Sequence, residues 1–515
     1  MSATASVHEG TSWSWSRQLR LAVLIVLGAL LFGLVAGAEV ARGHVAAVAG
    51  LAVVLLPVAL WRRPQLAPVV LMVTALLVEQ NGAQIEPTFA ATNTPGLGQL
   101  SLVATIPITG HIPVFQGLGS MHVEPVDLLL LMVLLVYLVR TDAWGPRWWP
   151  RSPVASAMGI LLGCVVLGLV VGQLHHGQLR EALQEVRPMV YLASAYFLTS
   201  ALIRSRQAFH TMLWAYVIAE AIKACQGLYV YLETRGWRPR PDAVLSHEEA
   251  YFFSIYLLMV AALWMFGVRG RLRKVATYLL PLIIFVDLVN NRRAAWLVLG
   301  GGIVALFAVG IVALPQRRQK IIKVLVCLVV FIAVYLAAFW HSAGTLGQPA
   351  TAVKSAFSPN PRDASSDLYR EQEAANLQYN IKHDALLGAG YGVPINYALP
   401  IVDLRKTVPT LDYIPHNDVL YILMRLGIVG SVAFWGLLAA AIAAGCRLAR
   451  APNREIAAVG ALTVCMTVGY ALDGATDVGF YFYRIAFVTG CLLGLAEAGR
   501  HLIAMRATPE ESLAR

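Results

Sequence analysis

Charge is what this sequence has least of. Only 13% of its 515 residues are Asp, Glu, Lys or Arg, against roughly 25% in an ordinary soluble protein, so a string of water-soluble domains is excluded. Cysteine is scarce as well. The six (Cys164, Cys225, Cys327, Cys446, Cys465 and Cys491) all fall in apolar runs and never as a close pair, which argues against a disulfide framework or zinc site and for small packing residues in helices. No Walker-type phosphate loop, Ser–His–Asp signature or metal-ligand spacing occurs, nor an Asp-x-Asp pair of the kind that holds a metal on a nucleotide sugar. A cytoplasmic nucleotide-using enzyme therefore finds no support, and no metal or cofactor is expected. There is no internal repeat and no low-complexity tract.

What the chain has is apolar length. Hydrophobic residues make up 58% and the mean hydropathy is +0.65. Apolar runs recur from Leu21 to Leu493, each about 15–20 residues and so long enough, or nearly so, to cross a bilayer. They predict an all-α polytopic membrane protein of about 12–14 transmembrane helices, with spans near 20–38, 44–60, 66–79, 126–140, 153–173, 189–203, 208–228, 251–268, 275–290, 294–314, 321–340, 417–445, 456–473 and 485–499. Met1–Arg20 is polar and no small-residue cleavage site is evident, so the first run reads as a retained helix. The net charge of +11 is not a nucleic-acid footprint. Its cations sit in short clusters on alternate loops, among them Arg62/Arg63, Arg204/Arg206, Arg269–Lys274, Arg317–Lys323 and Arg447–Arg454. Those loops and both termini are thereby predicted to be cytoplasmic. Residues 1–340 read as an N-terminal bundle with an external loop at about 80–125, residues 341–414 as the large external loop, and residues 415–515 as C-terminal spans and tail.

Four external features could carry chemistry. Arg292 and Arg293 stand at the mouth between two spans, on the side where positive charge is scarce. Arginine holds phosphate with a planar, bidentate fork; the alternative is a pair that snorkels to lipid headgroups. Arg370 lies in a segment, Asp367–His383, with helical patterning, where it either binds an anion or pairs with Glu371 or Glu373 on a solvated face. Gly388, Gly390 and Gly392 either open backbone N–H groups to an anion or make a tight turn. Last, Pro415-His-Asn-Asp418 opens an apolar helix. His416 is suited to accept a proton near neutral pH, while Asn417 could cap the helix or orient the imidazole, and Asp418 follows in its first turn. Arg425, two turns deeper in an apolar run, needs an anionic partner; Asp473, Asp477 and Glu220 are the candidates.

Taken in order, Arg293-Ala-Ala-Trp296, Arg370, Gly388-Ala-Gly-Tyr-Gly392, His416-Asn-Asp-Val-Leu420 and Gly427-Ile-Val-Gly430 resemble the motif series of the O-antigen ligase and polymerase superfamily of bacterial envelope glycan enzymes. The resemblance covers roughly residues 285–435. It departs at Arg292, where the family usually has serine, at Val419, commonly aromatic, and at Arg425, often glutamate. It implies a GT-C-like glycosyltransferase architecture in the bacterial inner membrane. The implied reaction is metal-independent transfer from an undecaprenyl-diphosphate-linked oligosaccharide to a glycan or lipid-core acceptor on the external face. His416 would be the base, Asn417 would set its tautomer, and Arg293 and Arg370, helped by Arg292, would bind the diphosphate. Ligase and polymerase are both compatible with it. A transporter or flippase of lipid-linked glycan is the rival from another class, kept open by Arg425.

Overall fold

The computed structural model describes residues 56, 58–77, 125–139, 150–236, 243–342, 344–402 and 412–511. The expected span near 20–38, most of that near 44–60 and nearly all of the 80–125 loop lie outside these residues. Every regular element among the described residues is helical. In chain order they are α1 (Leu66–Leu77), α2 (Pro125–Val139), α3 (Pro153–Leu174), α4 (Leu179–Leu202), α5 (Arg206–Thr234), α6 (His247–Met265), α7 (Arg271–Tyr278) and α8 (Leu280–Asn290). There follow α9 (Arg293–Ala313), α10 (Arg318–Phe339), α11 (Gln348–Ser355), α12 (Pro361–His383), α13 (Asp418–Leu448), α14 (Arg454–Thr476) and α15 (Tyr483–Glu511).

The helix starts are written in the sequence. Ser152, Ser205, Asn360, Asn417 and Asn453 each cap a helix by accepting a backbone N–H of its first turn, and Pro153 and Pro361 sit where a missing N–H costs nothing. Among the described residues, six segments are long and apolar enough to cross a membrane: α3, α6, α9, α10 with the short turn before it, α13 and α14. With the shorter apolar helices beside them, they make this a multi-pass membrane protein. Of these six, α6 and α14 are the most buried, each over 78% of its apolar stretch, whereas α10 is buried over 6% and lies at the edge of the described bundle. The bundle is assembled by α15 on α4, α9 and α13 on α14, and α13 on α3.

Two expected boundaries move. The span near 189–203 starts earlier, at Leu179, as one helix, α4, which runs through Pro188. Arg187, next to that proline, is paired to Asp127 at 3.1 Å. The span near 275–290 is instead two helices, with Pro281 in the first turn of the second.

A third departure positions the site. Inside α13, Gly427 has φ 60° and ψ −164°, so the helix breaks there. A break in an apolar helix leaves backbone groups that need partners. They find them in the chain after α12: Ala389 N–H donates to Met424 O at 2.8 Å and Gly390 N–H to Arg425 O at 3.1 Å, while Ile428 N–H donates to Ala385 O at 2.9 Å.

Candidate functional site

His416 sits one residue before the Asn417 cap of α13, where the helix emerges beside α12. The capping bond, from Leu420 N–H to Asn417 Oδ1, is 3.0 Å. It fixes the direction in which His416 leaves the helix, but it uses the Asn417 oxygen, and the imidazole is oriented by another residue. Glu373 of α12 lies 3.2 Å from His416 Nδ1 and also accepts the His416 backbone N–H at 2.8 Å. The carboxylate side chain is 5% exposed and the imidazole 30%, so the dyad is anchored on the protein side and open on the other. The Tyr369 ring stands edge-on to the imidazole at 5.7 Å. Burial pushes the His416 pKa down, but the hydrogen bond and charge of Glu373 and the charge of Asp477 outweigh it, so the net shift is upward despite Arg370.

Asp477, the residue that ends α14, completes this corner. Its Oδ2 is 3.5 Å from His247 Nδ1 at the start of α6. Burial alone would raise its pKa; the His247 bond and charge, then Arg370 and His416, hold it well below the usual carboxylate range. Arg370 is half-buried and its charge is felt by both His416 and Asp477. It makes no side-chain hydrogen bond or close ion pair among the described residues, and Glu373, one of its expected partners, is engaged with His416. A cation with nothing bonded to its fork, next to a histidine, is suited to take an oxyanion.

Arg293 opens α9 across from the same helix. Asn291 adopts a left-handed conformation at the end of α8, and the neighbouring Asn290 side chain fastens this corner to Leu245 N–H at 2.9 Å. Arg293 therefore faces α12, with Nη2 3.4 Å from Asp367 and Nη1 3.8 Å from Asp363. These are loose, partly exposed pairs, of the kind that contributes little and exchanges readily. Asp363, Asp367, Arg370 and Glu373 recur at helical spacing, so one face of α12 serves both α9 and His416. Arg292 precedes α9 as its N-cap residue.

The remaining candidates are structural supports. Arg425 is 1% exposed and pairs with Glu185 of α4 at 2.6 Å, not with Asp473, Asp477 or Glu220. It also donates to the carbonyls of Gly390, Val393 and Tyr413 at 3.2, 2.5 and 2.9 Å. Glu185 in turn accepts from Gly392 N–H and from the Tyr421 hydroxyl. Gly388, Gly390 and Gly392 have φ of 77°, 79° and 82°, and their N–H groups are spent on Asp384, Arg425 and Glu185. Of the two uses open to these glycines, the geometry is that of the turn. Asp418 is fully buried and accepts the Phe480 N–H at 2.6 Å, tying the chain after Asp477 to the start of α13.

Sequence reasoning missed Glu373 as the partner of His416, named Asp477 only as a possible partner of Arg425, and missed Tyr369 and His247 altogether. The signal for Glu373 was present, since it lies three residues beyond Arg370 on one helix face. Nothing local marks Asp477 or His247.

Residues 278–435 match the sequence model of the family described as O-antigen ligase. The stretch begins at the end of α7, contains α8 to α12 with the glycine turn, and ends inside α13, so it holds His416, Glu373, Arg370 and Arg293 together. Over that stretch the match supports a likeness to the O-antigen ligase and polymerase superfamily. Glycosyl transfer of that general type, in polysaccharide biosynthesis, on lipid-linked glycans and glycan acceptors, is what the match supports. No curated protein matches the sequence.

Proposed function

We propose that the chain transfers a glycan from an undecaprenyl-diphosphate-linked donor to a saccharide acceptor, at the external face of a bacterial inner membrane. The observation that carries this reading is the corner where Glu373 anchors His416 beside Arg370. With Nδ1–H directed at Glu373, the imidazole keeps Nε2 as its basic nitrogen. The acceptor hydroxyl gives its proton to Nε2 as its oxygen bonds to the anomeric carbon. The bond from that carbon to the diphosphate oxygen breaks, and the lipid diphosphate leaves with the electron pair. Arg370 and Arg293 stabilise the negative charge that develops there, Arg293 by exchanging its loose aspartate pairs for phosphate oxygens. Both termini are taken to be cytoplasmic, from the basic clusters on alternate loops.

The transport alternative loses its main motive. Arg425 is consumed in holding Glu185 and three carbonyls, so its guanidinium is not available to a substrate in transit. Replacing His416 with alanine tests the proposal directly. Surface glycan should be lost while lipid-linked precursor accumulates on the external leaflet. Precursor trapped on the cytoplasmic leaflet would indicate transport, and glycan of normal amount and length would overturn the role of His416.

A further inference from the structure

At the end of the bundle opposite His416, the termini of α3, α13 and α15 enclose a cavity of about 540 Å³. Its walls are apolar, formed by Ala441, Ala444 and Leu448 of α13 and Leu493 of α15. Arg447, Arg450 and Arg500 also line it and are exposed, so they stand at its rim. Arg500 is matched by Glu497, with Nε at 3.0 Å, and Glu497 also takes His501 at 3.2 Å. Arg447 and Arg450 make no side-chain hydrogen bond or ion pair among the described residues.

We propose that this cavity is a binding site for an anionic phospholipid, with the phosphate at Arg447 and Arg450 and acyl carbons against the α13–α15 wall. The volume is that of a small-molecule pocket. An apolar chamber beneath a cationic rim fits an amphiphile, whereas a free hydrated anion would gain nothing from the wall. The cavity lies where the apolar lengths of α3 and α13 end, which is headgroup depth, and basic pockets between helices at that depth take anionic lipid heads. The first turn of α3, capped by Ser152 and also lining the cavity, adds its positive helix end to the same rim.

The test uses the full chain in phosphatidylcholine nanodiscs, titrated with phosphatidylglycerol, with bound lipid counted by native mass spectrometry. Phosphatidylglycerol should be retained in preference to phosphatidylcholine. The exposed double variant Arg447→Gln/Arg450→Gln should weaken that retention about 30-fold, as expected for two cations at a lipid surface. Ala444→Trp keeps every charge but fills the chamber, and should lose retention as well. Equal retention of the two lipids would overturn the proposal, as would unchanged retention in the double variant. Retention unaffected by Ala444→Trp would reduce the effect to surface attraction and also overturn it. So would displacement of the lipid by inorganic phosphate, which would mark a free-anion site.

Discussion

The Glu373 carboxylate holds His416 twice, at the imidazole Nδ1 (3.2 Å) and at the backbone N–H (2.8 Å). The two residues come from different elements, α12 and the entrance to α13, and Glu373 is the more deeply buried. An imidazole fixed at ring and backbone by one buried anion has both its tautomer and its position set by the fold.

The first prediction concerns pH. His416 must be neutral to accept a proton, so transfer should rise with pH through a pKa above the ordinary value of about 6.5, consistent with its upward shift. Glu373→Gln removes the largest upward influence and leaves burial, which acts downward. The acidic limb should therefore move to lower pH, and the maximal rate should fall about 10- to 100-fold, part of what a positioned base contributes. Initial rates across pH, in a purified assay with a lipid-linked donor, decide it; an unmoved limb would show that Glu373 does not act through His416.

The arginines should separate by their present partners. Arg370→Lys keeps the charge but loses the fork, and should lower the transfer rate by roughly 10²- to 10³-fold, as for removal of one transition-state donor. Arg293→Lys should act mainly on the KM for donor, because Arg293 already shares its charge with Asp363 and Asp367. Asp367→Asn should lower that KM by releasing Arg293. Steady-state kinetics of the three variants provides the check, and unchanged activity in Arg370→Lys would rule out bidentate diphosphate binding there.

Much of this site could be read from the chain because local rules set it. Asn417 caps a helix, Pro361 and Asn360 start another, and the α12 face follows from a 3.6-residue period. Long-range partners could not be read. Glu185 lies in a stretch that reads as an ordinary amphipathic helix, and only the α3–α4–α13 packing carries it to Arg425. The break at Gly427 was equally hidden. A Gly-x-x-Gly pair is common in apolar helices, and the kink is legible only once the chain after α12 is seen to supply its missing hydrogen bonds.

The Glu185–Arg425 pair yields a stability prediction. Both side chains are almost wholly buried, and removing one partner of such a pair typically costs about 3–5 kcal/mol. Arg425→Met also abandons three carbonyls, so it should be the more damaging; Glu185→Gln keeps hydrogen-bonding capacity for Gly392 and Tyr421. A double-mutant cycle on thermal unfolding in detergent should show strong coupling between the two positions. Additive effects would mean that the pair does not act as a unit.

The glycine turn can be tested apart from chemistry. A Cβ on Gly390 would lie 2.1 Å from the Gly172 backbone nitrogen of α3, and its φ of 79° is already in the region side chains rarely adopt. Backbone strain of this kind costs about 1–3 kcal/mol before any clash, and neither α3 nor the turn can yield without losing the bonds that fill the α13 break. Gly390→Ala should therefore lower yield and thermal stability sharply. Gly436→Ala, farther along α13 with no atom within 4 Å of the added carbon, should be neutral or slightly stabilising, since alanine favours helix by about 1 kcal/mol over glycine. If the turn served only to cradle a substrate anion, Gly390→Ala would instead fold normally and raise the KM for donor. Thermal melting together with donor kinetics distinguishes the two outcomes.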